Sequence, residues 1–245
     1  PGQTLDVYYP PDGADHPLVV WVHGGGWRIG DKARVGIKPR AFTERGYVFA
    51  SVNYRLVPDV AVEDQAADLA AAVRWLHDHA ADYRADPEHI VLMGHSAGAH
   101  LVALVATDPR YLKEQGLSLS LLDGCVPIDS ACYDVAARMR EAGPREGLLY
   151  RSVFGRDADR QRDLSPQTYV AGGQGIPPFL ILHVADRAWS RDQSRDFAEA
   201  LTAAEVAADV FAGEGKTHAT INRELGLADD PPTQAVFEFL ARVTN

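Results

Sequence analysis

Gly94-His95-Ser96-Ala97-Gly98 constrains the fold more than any other stretch of the chain, because it joins two segments of incompatible period. Ile90-Val91-Leu92-Met93 before it is an apolar run of strand length, whereas Ala97 to Thr107 after it is rich in Ala, Leu and Val, as a buried helix is. A strand that becomes a helix within about one residue has to turn at Ser96. Such a turn strains the central backbone and is tolerated only where the neighbours lack bulk, which accounts for a glycine at either end. The result is a nucleophile elbow, with the serine oxygen at the carboxyl end of the strand and the N-terminus of the next helix directed at it. Pentapeptides of this kind arise by chance, and it is the strand before and the helix after that make this one informative.

The rest of the chain repeats the same alternation. Leu18-Val19-Val20-Trp21-Val22 is a continuous apolar run, the mark of a parallel strand buried on both faces, and it leads into His23-Gly24-Gly25-Gly26-Trp27. Tyr47 to Val52 is a second run, ending in Asn53-Tyr54-Arg55 and the breaker Pro58. Ala66, Leu69, Ala70, Val73 and Leu76 fall at helical spacing within residues 62–81. Further strands are expected at Gly124 to Ile128, Phe179 to Val184 and Ala208 to Phe211, with helices at Gln193 to Ala204 and Thr233 to Val243. This order predicts an α/β fold, a central, mostly parallel twisted sheet with helices on both faces and reactive groups gathered at the carboxyl ends of the strands. Residues 130–177 are weakly periodic, with one helix expected around Val135 to Glu141. An insertion of that size after a strand folds either as a small partial lid or as a solvated excursion, and a lid is the expectation.

Composition narrows the class. The 245 residues suffice for one large core with no linker-like tract to divide them, so residues 1–245 are read as a single domain. A net charge of −10, with no local cluster of Lys or Arg, argues against nucleic-acid and anionic-membrane partners. The longest apolar runs fall well short of the roughly 20 residues that span a bilayer, and no signal-like start is visible, although the chain opens on Pro1 and an upstream leader is left open. Cys125 and Cys132 have neither metal-ligand nor redox spacing, which fits a reducing, cytoplasmic setting and implies no metal.

A serine hydroxyl is a poor nucleophile until a base takes its proton, and the base in turn needs an acid to fix its tautomer. Asp186 follows the apolar run 179–184 by two residues and is the expected acid; His218, in the loop before the closing helix, is the expected base. Asp129, directly after the strand ending at Ile128, is the rival acid, with a stabilising role as its other reading. His100 lies four residues after Ser96 on the helix behind it and reads as packing, as His183 does on its strand. His77 and His79 flank Asp78 but do not share a helix face, and His16, His89 and His95 read as surface or local structure. Negative charge built up on a carbonyl oxygen requires preorganised donors, which the bare backbone of Gly24-Gly25-Gly26 and the amide of Ala97 can supply. The other reading of the glycines is a flexible turn. Trp27 and Trp189, near the glycine loop and the acid loop, are candidates either to line a substrate pocket or to pack.

Together the segments Leu5-Asp6-Val7-Tyr8, His23 to Trp27, Gly30-Asp31-Lys32, Asn53-Tyr54-Arg55-Leu56, Asp64, Gly94 to His100, Leu164-Ser165-Pro166, Asp186 and His218 resemble the α/β-hydrolase superfamily. Within it they resemble the esterases related to the hormone-sensitive lipase group and the feruloyl/acetyl-xylan esterase-like and kynurenine formamidase-like hydrolases. The resemblance implies Ser96 as nucleophile, Asp186 as acid, His218 as base, and Gly25, Gly26 and Ala97 as the oxyanion hole. His95 stands where the lipase group usually carries an acidic residue, which tilts the match toward the feruloyl-esterase-like and formamidase-like branch, and the little chain before Leu5 implies a more open site. The expected activity is a cofactor-free serine carboxylic-ester hydrolase taking small short-chain or aryl esters, as monomer or homodimer. An aryl-formamide hydrolase using the same residues is the first rival, and a non-catalytic receptor on the same scaffold the second.

Overall fold

A computed structural model describes residues 2–130 and 132–244; residues 1, 131 and 245, which fall within the expected domain and insertion, lie outside the described residues. Along the chain the elements are β1 (Thr4–Tyr8), β2 (His16–Val22), α1 (Lys38–Thr43), β3 (Val48–Asn53), α2 (Val62–Asp78), β4 (Ala85–His95), α3 (Ala97–Thr107), α4 (Pro109–Glu114) and β5 (Leu122–Ile128). They continue with α5 (Val135–Glu141), α6 (Pro144–Phe154), α7 (Ala158–Asp163), β6 (Phe179–Val184), α8 (Ala188–Ala203), β7 (Ala208–Gly213), α9 (Thr220–Arg223) and α10 (Pro231–Val243). Seven strands form one sheet in the order β1-β3-β2-β4-β5-β6-β7, antiparallel only at the β1–β3 edge.

The apolar runs are continuous because alternate residues serve opposite faces, each covered by helices. Val20, Val22 and Leu92 pack with Leu69 and Val73 of α2, Leu101 and Val105 of α3 and Phe197 of α8. Val19, Trp21, Val91 and Met93 pack on the other face with Phe42 of α1 and Val236, Phe239 and Leu240 of α10. Every residue of α3 is buried, so its lack of a polar face reflects a helix enclosed on all sides. The expected α/β architecture is the one observed. β1 was not anticipated as a strand; it is short, and it pairs backwards on the edge, with Leu5 and Val7 against the core. Where one helix was expected between β5 and β6, the structure has three, α5 to α7, whose short lengths and charged sequences mask their period.

Candidate active site

The turn from β4 into α3 has the strained geometry its sequence requires. Ser96 adopts φ 57° and ψ −116°, and its N–H donates to the Ile128 carbonyl at 2.9 Å, so the elbow is tied to the end of β5. Glycine at position 98 follows from close approach: a Cβ there would lie 2.2 Å from the Val22 carbonyl oxygen, which belongs to the neighbouring strand and cannot move aside. The helix is thereby held against the sheet, with the Ser96 hydroxyl above the carboxyl ends of β2, β4 and β5.

His218, in the loop between β7 and α9, lies with Nε2 3.0 Å from Ser96 Oγ. Its Nδ1 contacts a carboxylate oxygen at 2.6 Å, and that carboxylate belongs to Asp129. The expectation of Asp186 at this position is corrected here. Only residues 185–187 separate β6 from α8, and Arg187 N–H donates back to the Val184 carbonyl, so the chain turns tightly. That turn leaves Asp186 exposed, while the next residue, Arg187, reaches inward to the Asp129 carboxylate. Asp129 itself has φ 52° and continues the β5–β6 ladder through its N–H to the Leu182 carbonyl, which sets its side chain facing the His218 loop.

The Asp129 carboxylate is 1% exposed and nonetheless well provided with donors. Oδ1 accepts from Val184 N–H at 3.1 Å and Ser190 Oγ at 2.6 Å, and Oδ2 accepts from His218 Nδ1 and Arg187 Nη1. Burial pushes its pKa up, but the His218 hydrogen bond, the Arg187 charge and the Ser190 and Val184 donors outweigh burial and hold it well below the usual carboxylate range. The group is an anion that orients an imidazole, and its donors leave no room for a proton.

The remaining expectations divide. Gly26 and Ala97 border the cavity above Ser96, about 220 Å³ in volume, whereas Gly25 is not among its lining residues and turns toward the Ile29 carbonyl, 1.8 Å from where its Cβ would stand. Ala97 is the first residue of α3, so its N–H has no partner within the helix. Trp27 touches the cavity, but its ring is buried against His100, Tyr150 and Phe154, and its Nε1 donates to His100 Nδ1 at 3.3 Å. Trp189 lines the cavity with one face on Arg187, 3.9 Å away, and lies 4.5 Å from Arg138. From α6, Glu146, Leu149 and Tyr150 complete the wall, residues that weak periodicity left unassigned.

Of the other histidines, His95, expected at the surface or in local structure, is buried with Nε2 2.9 Å from the His218 carbonyl, and three more have partners of their own. His100 is fully buried and donates from Nε2 to the Leu164 carbonyl, and His183 contacts the Val184 carbonyl on its strand. His89 pairs with Asp123 at 2.7 Å, a partner not anticipated for it. Among the described residues no group of three or more His, Cys, Asp or Glu side chains is placed to hold a metal ion, and no helix is long and apolar enough to cross a membrane.

Comparison with known proteins places these features in a family. The family model described as BD-FAE matches residues 5–201. A probable isoprenylcysteine alpha-carbonyl methylesterase, ICMEL1 of Arabidopsis thaliana, is 32% identical over 89% of this chain and 48% of its own length. Carboxylesterase NlhH of Mycobacterium tuberculosis is 30% identical over 88% of this chain and 70% of its own length. The chain thus spans about half the length of the first of these relatives. Among solved structures, butyrate-bound esterase Est2 of Thermogutta terrifontis superposes with a TM-score of 0.79 at 26% identity, covering 98% of this chain and 88% of that one.

Proposed function

The chain belongs to the BD-FAE family and has the α/β-hydrolase fold, and from that premise we propose that it is a serine carboxylic-ester hydrolase working through an acyl-enzyme. The observation that carries this reading is the relay from Ser96 Oγ through the His218 ring to Asp129 Oδ2, at 3.0 Å and 2.6 Å, opening on a cavity. His218 Nε2 takes the Ser96 proton as Oγ bonds to the ester carbonyl carbon. The carbonyl π pair moves onto oxygen, where the N–H groups of Ala97 and Gly26 receive it, with Gly25 behind them. Collapse breaks the bond to the alkoxy oxygen, which leaves with the proton held on Nε2. Water then repeats the cycle on the acyl group and frees Ser96. Asp129 keeps Nδ1 protonated throughout and stabilises the imidazolium that forms in each half.

A cavity of about 220 Å³ takes a short acyl group, and α6, within the partial lid of residues 130–177, closes it on one side. The butyrate held by the Thermogutta esterase agrees with this size. Among the rivals, the esterase names of the relatives favour an ester over a formamide substrate, and a receptor would have no use for a hydroxyl hydrogen-bonded to a base. The test is turnover of p-nitrophenyl acetate and butyrate beside N-formylkynurenine, with fluorophosphonate labelling of the wild type and of Ser96→Ala. Ester turnover and labelling lost in Ser96→Ala is the expected result. Preference for the formamide by kcat/KM, or a folded wild type that does not label, overturns the proposal.

A further inference from the structure

His95 occupies the variable position of the pentapeptide, ends β4 and is buried beside the catalytic loop. Its Nε2 lies 2.9 Å from the main-chain carbonyl of His218, and the two imidazoles face one another with centroids 4.5 Å apart at 37°. A carbonyl oxygen only accepts, so the His95 proton is on Nε2 and its tautomer is fixed. On its other side the glycine loop comes close: a Cβ on Gly24 would stand 3.0 Å from His95 Nδ1 and 3.0 Å from Ser96 Cβ. One side chain therefore touches the main chain of the base, the face of the base and the loop that borders the oxyanion site.

The His218 loop is otherwise held through side chains, His218 on Asp129, Lys216 on Asp230 and Ile221 in the core. It is a turn between an edge strand and a helix of four residues, and its local bonds, Thr217 N–H to Thr220 Oγ1 and Ile221 N–H to the Thr217 carbonyl, fix its own shape and not its distance from the sheet. The bond from His95 is different in kind, because β4 also carries Ser96. Resting on the serine-hydrolase reading above, we propose that His95 is a positioning residue, which sets the distance between Ser96 and His218 by donating from the nucleophile's own strand to the main chain of the base.

It is suited to this because it remains neutral. Burial, with the facing His218 adding to it, pushes its pKa down to about 3, so it brings no second cation beside the imidazolium that forms on His218; Asp129 and Lys38 are the other charged groups it senses. An acidic side chain at this position would carry no donor at neutral pH and would place a buried charge against the base.

The test separates donor from packing. His95→Phe keeps a ring and loses the donor, His95→Ala loses both, and His95→Gln keeps an amide donor near the place of Nε2. The Phe and Ala variants are expected to lose about tenfold in kcat on p-nitrophenyl acetate with KM within about twofold, and Gln to recover most of the loss. A purely structural role would lower Tm and the active fraction without this split, so active sites are counted by fluorophosphonate titration and kcat is expressed per labelled serine. Wild-type kcat in His95→Phe, or a Gln variant no better than Ala, overturns the proposal; should the Phe protein not fold, the comparison of Gln with Ala decides. If the wild type neither labels nor turns over, it is the serine-hydrolase reading that fails.

Discussion

At the scale of single residues, Asp129 concentrates the electrostatics of the site. His218 and Arg187 share its Oδ2, and Val184 N–H and Ser190 Oγ hold Oδ1, so the carboxylate is fixed in both rotation and charge. Replacing it by Asn removes the acceptor that fixes the His218 tautomer and leaves Arg187 without a partner carboxylate. We expect Asp129→Asn to lower kcat/KM on p-nitrophenyl acetate by roughly a thousandfold or more, and Asp186→Asn, at an exposed turn residue, to stay within about twofold. The reverse ranking would return the acid to Asp186. The apolar strand end and the aspartate immediately after it were visible at Ile128-Asp129, as they were near Asp186. What was not visible is that a turn of residues 185–187 sends two consecutive side chains opposite ways and gives the inward place to Arg187.

At the scale of elements, the elbow and the segment between β5 and β6 have different tolerances. Gly98 faces the Val22 and His23 carbonyls, both main chain, so Gly98→Ala forces α3 off the sheet. The expected loss is about 3 kcal/mol, a drop in Tm of roughly 6–12 °C, whereas Gly143→Ala at the N-cap of α6, with nothing within 4 Å, gives up only the N-cap preference for glycine over alanine, about 1 kcal/mol or less. Equal Tm changes in the two would refute this account of the elbow. In α6, Leu149 lines the cavity and reaches across to Gly26. Leu149→Ala lengthens the cavity, and the ratio of kcat/KM for p-nitrophenyl octanoate over acetate is expected to rise several-fold; an unchanged ratio would show that α6 does not limit acyl length.

At the scale of the whole molecule, the buried histidines make stability depend on pH. His100 is held neutral from both sides, accepting from Trp27 at Nδ1 and donating to Leu164 from Nε2, and burial pushes its pKa down to about 4; His95 is pushed to about 3. An unfolded histidine takes up a proton near pH 6.5. Between that value and the folded ones the unfolded chain binds more protons, so stability falls as pH falls below about 6.5, on the order of 1 kcal/mol per pH unit for each histidine. His89, raised by its hydrogen bond to Asp123, acts in the opposite sense, but it is partly exposed and screened. Urea midpoints at pH 7.5 and 5.0 measure the effect, and identical midpoints would contradict it.

The same division between local and long-range cause runs through the fold. Hydrophobic period, the steric demands of the elbow and a glycine run after a strand are local properties, so the sequence by itself determined the parallel sheet, Ser96 at the elbow, the glycine loop beside it and the candidate base. The antiparallel β1, the helices of residues 135–163 and the choice of carboxylate were decided by tertiary structure, because each depends on which strand lies beside which and on which way a short turn points its side chains. Asp129 and Asp186 are equivalent as letters at strand ends; only packing β5 between β4 and β6 brings one of them under His218 and leaves the other in water.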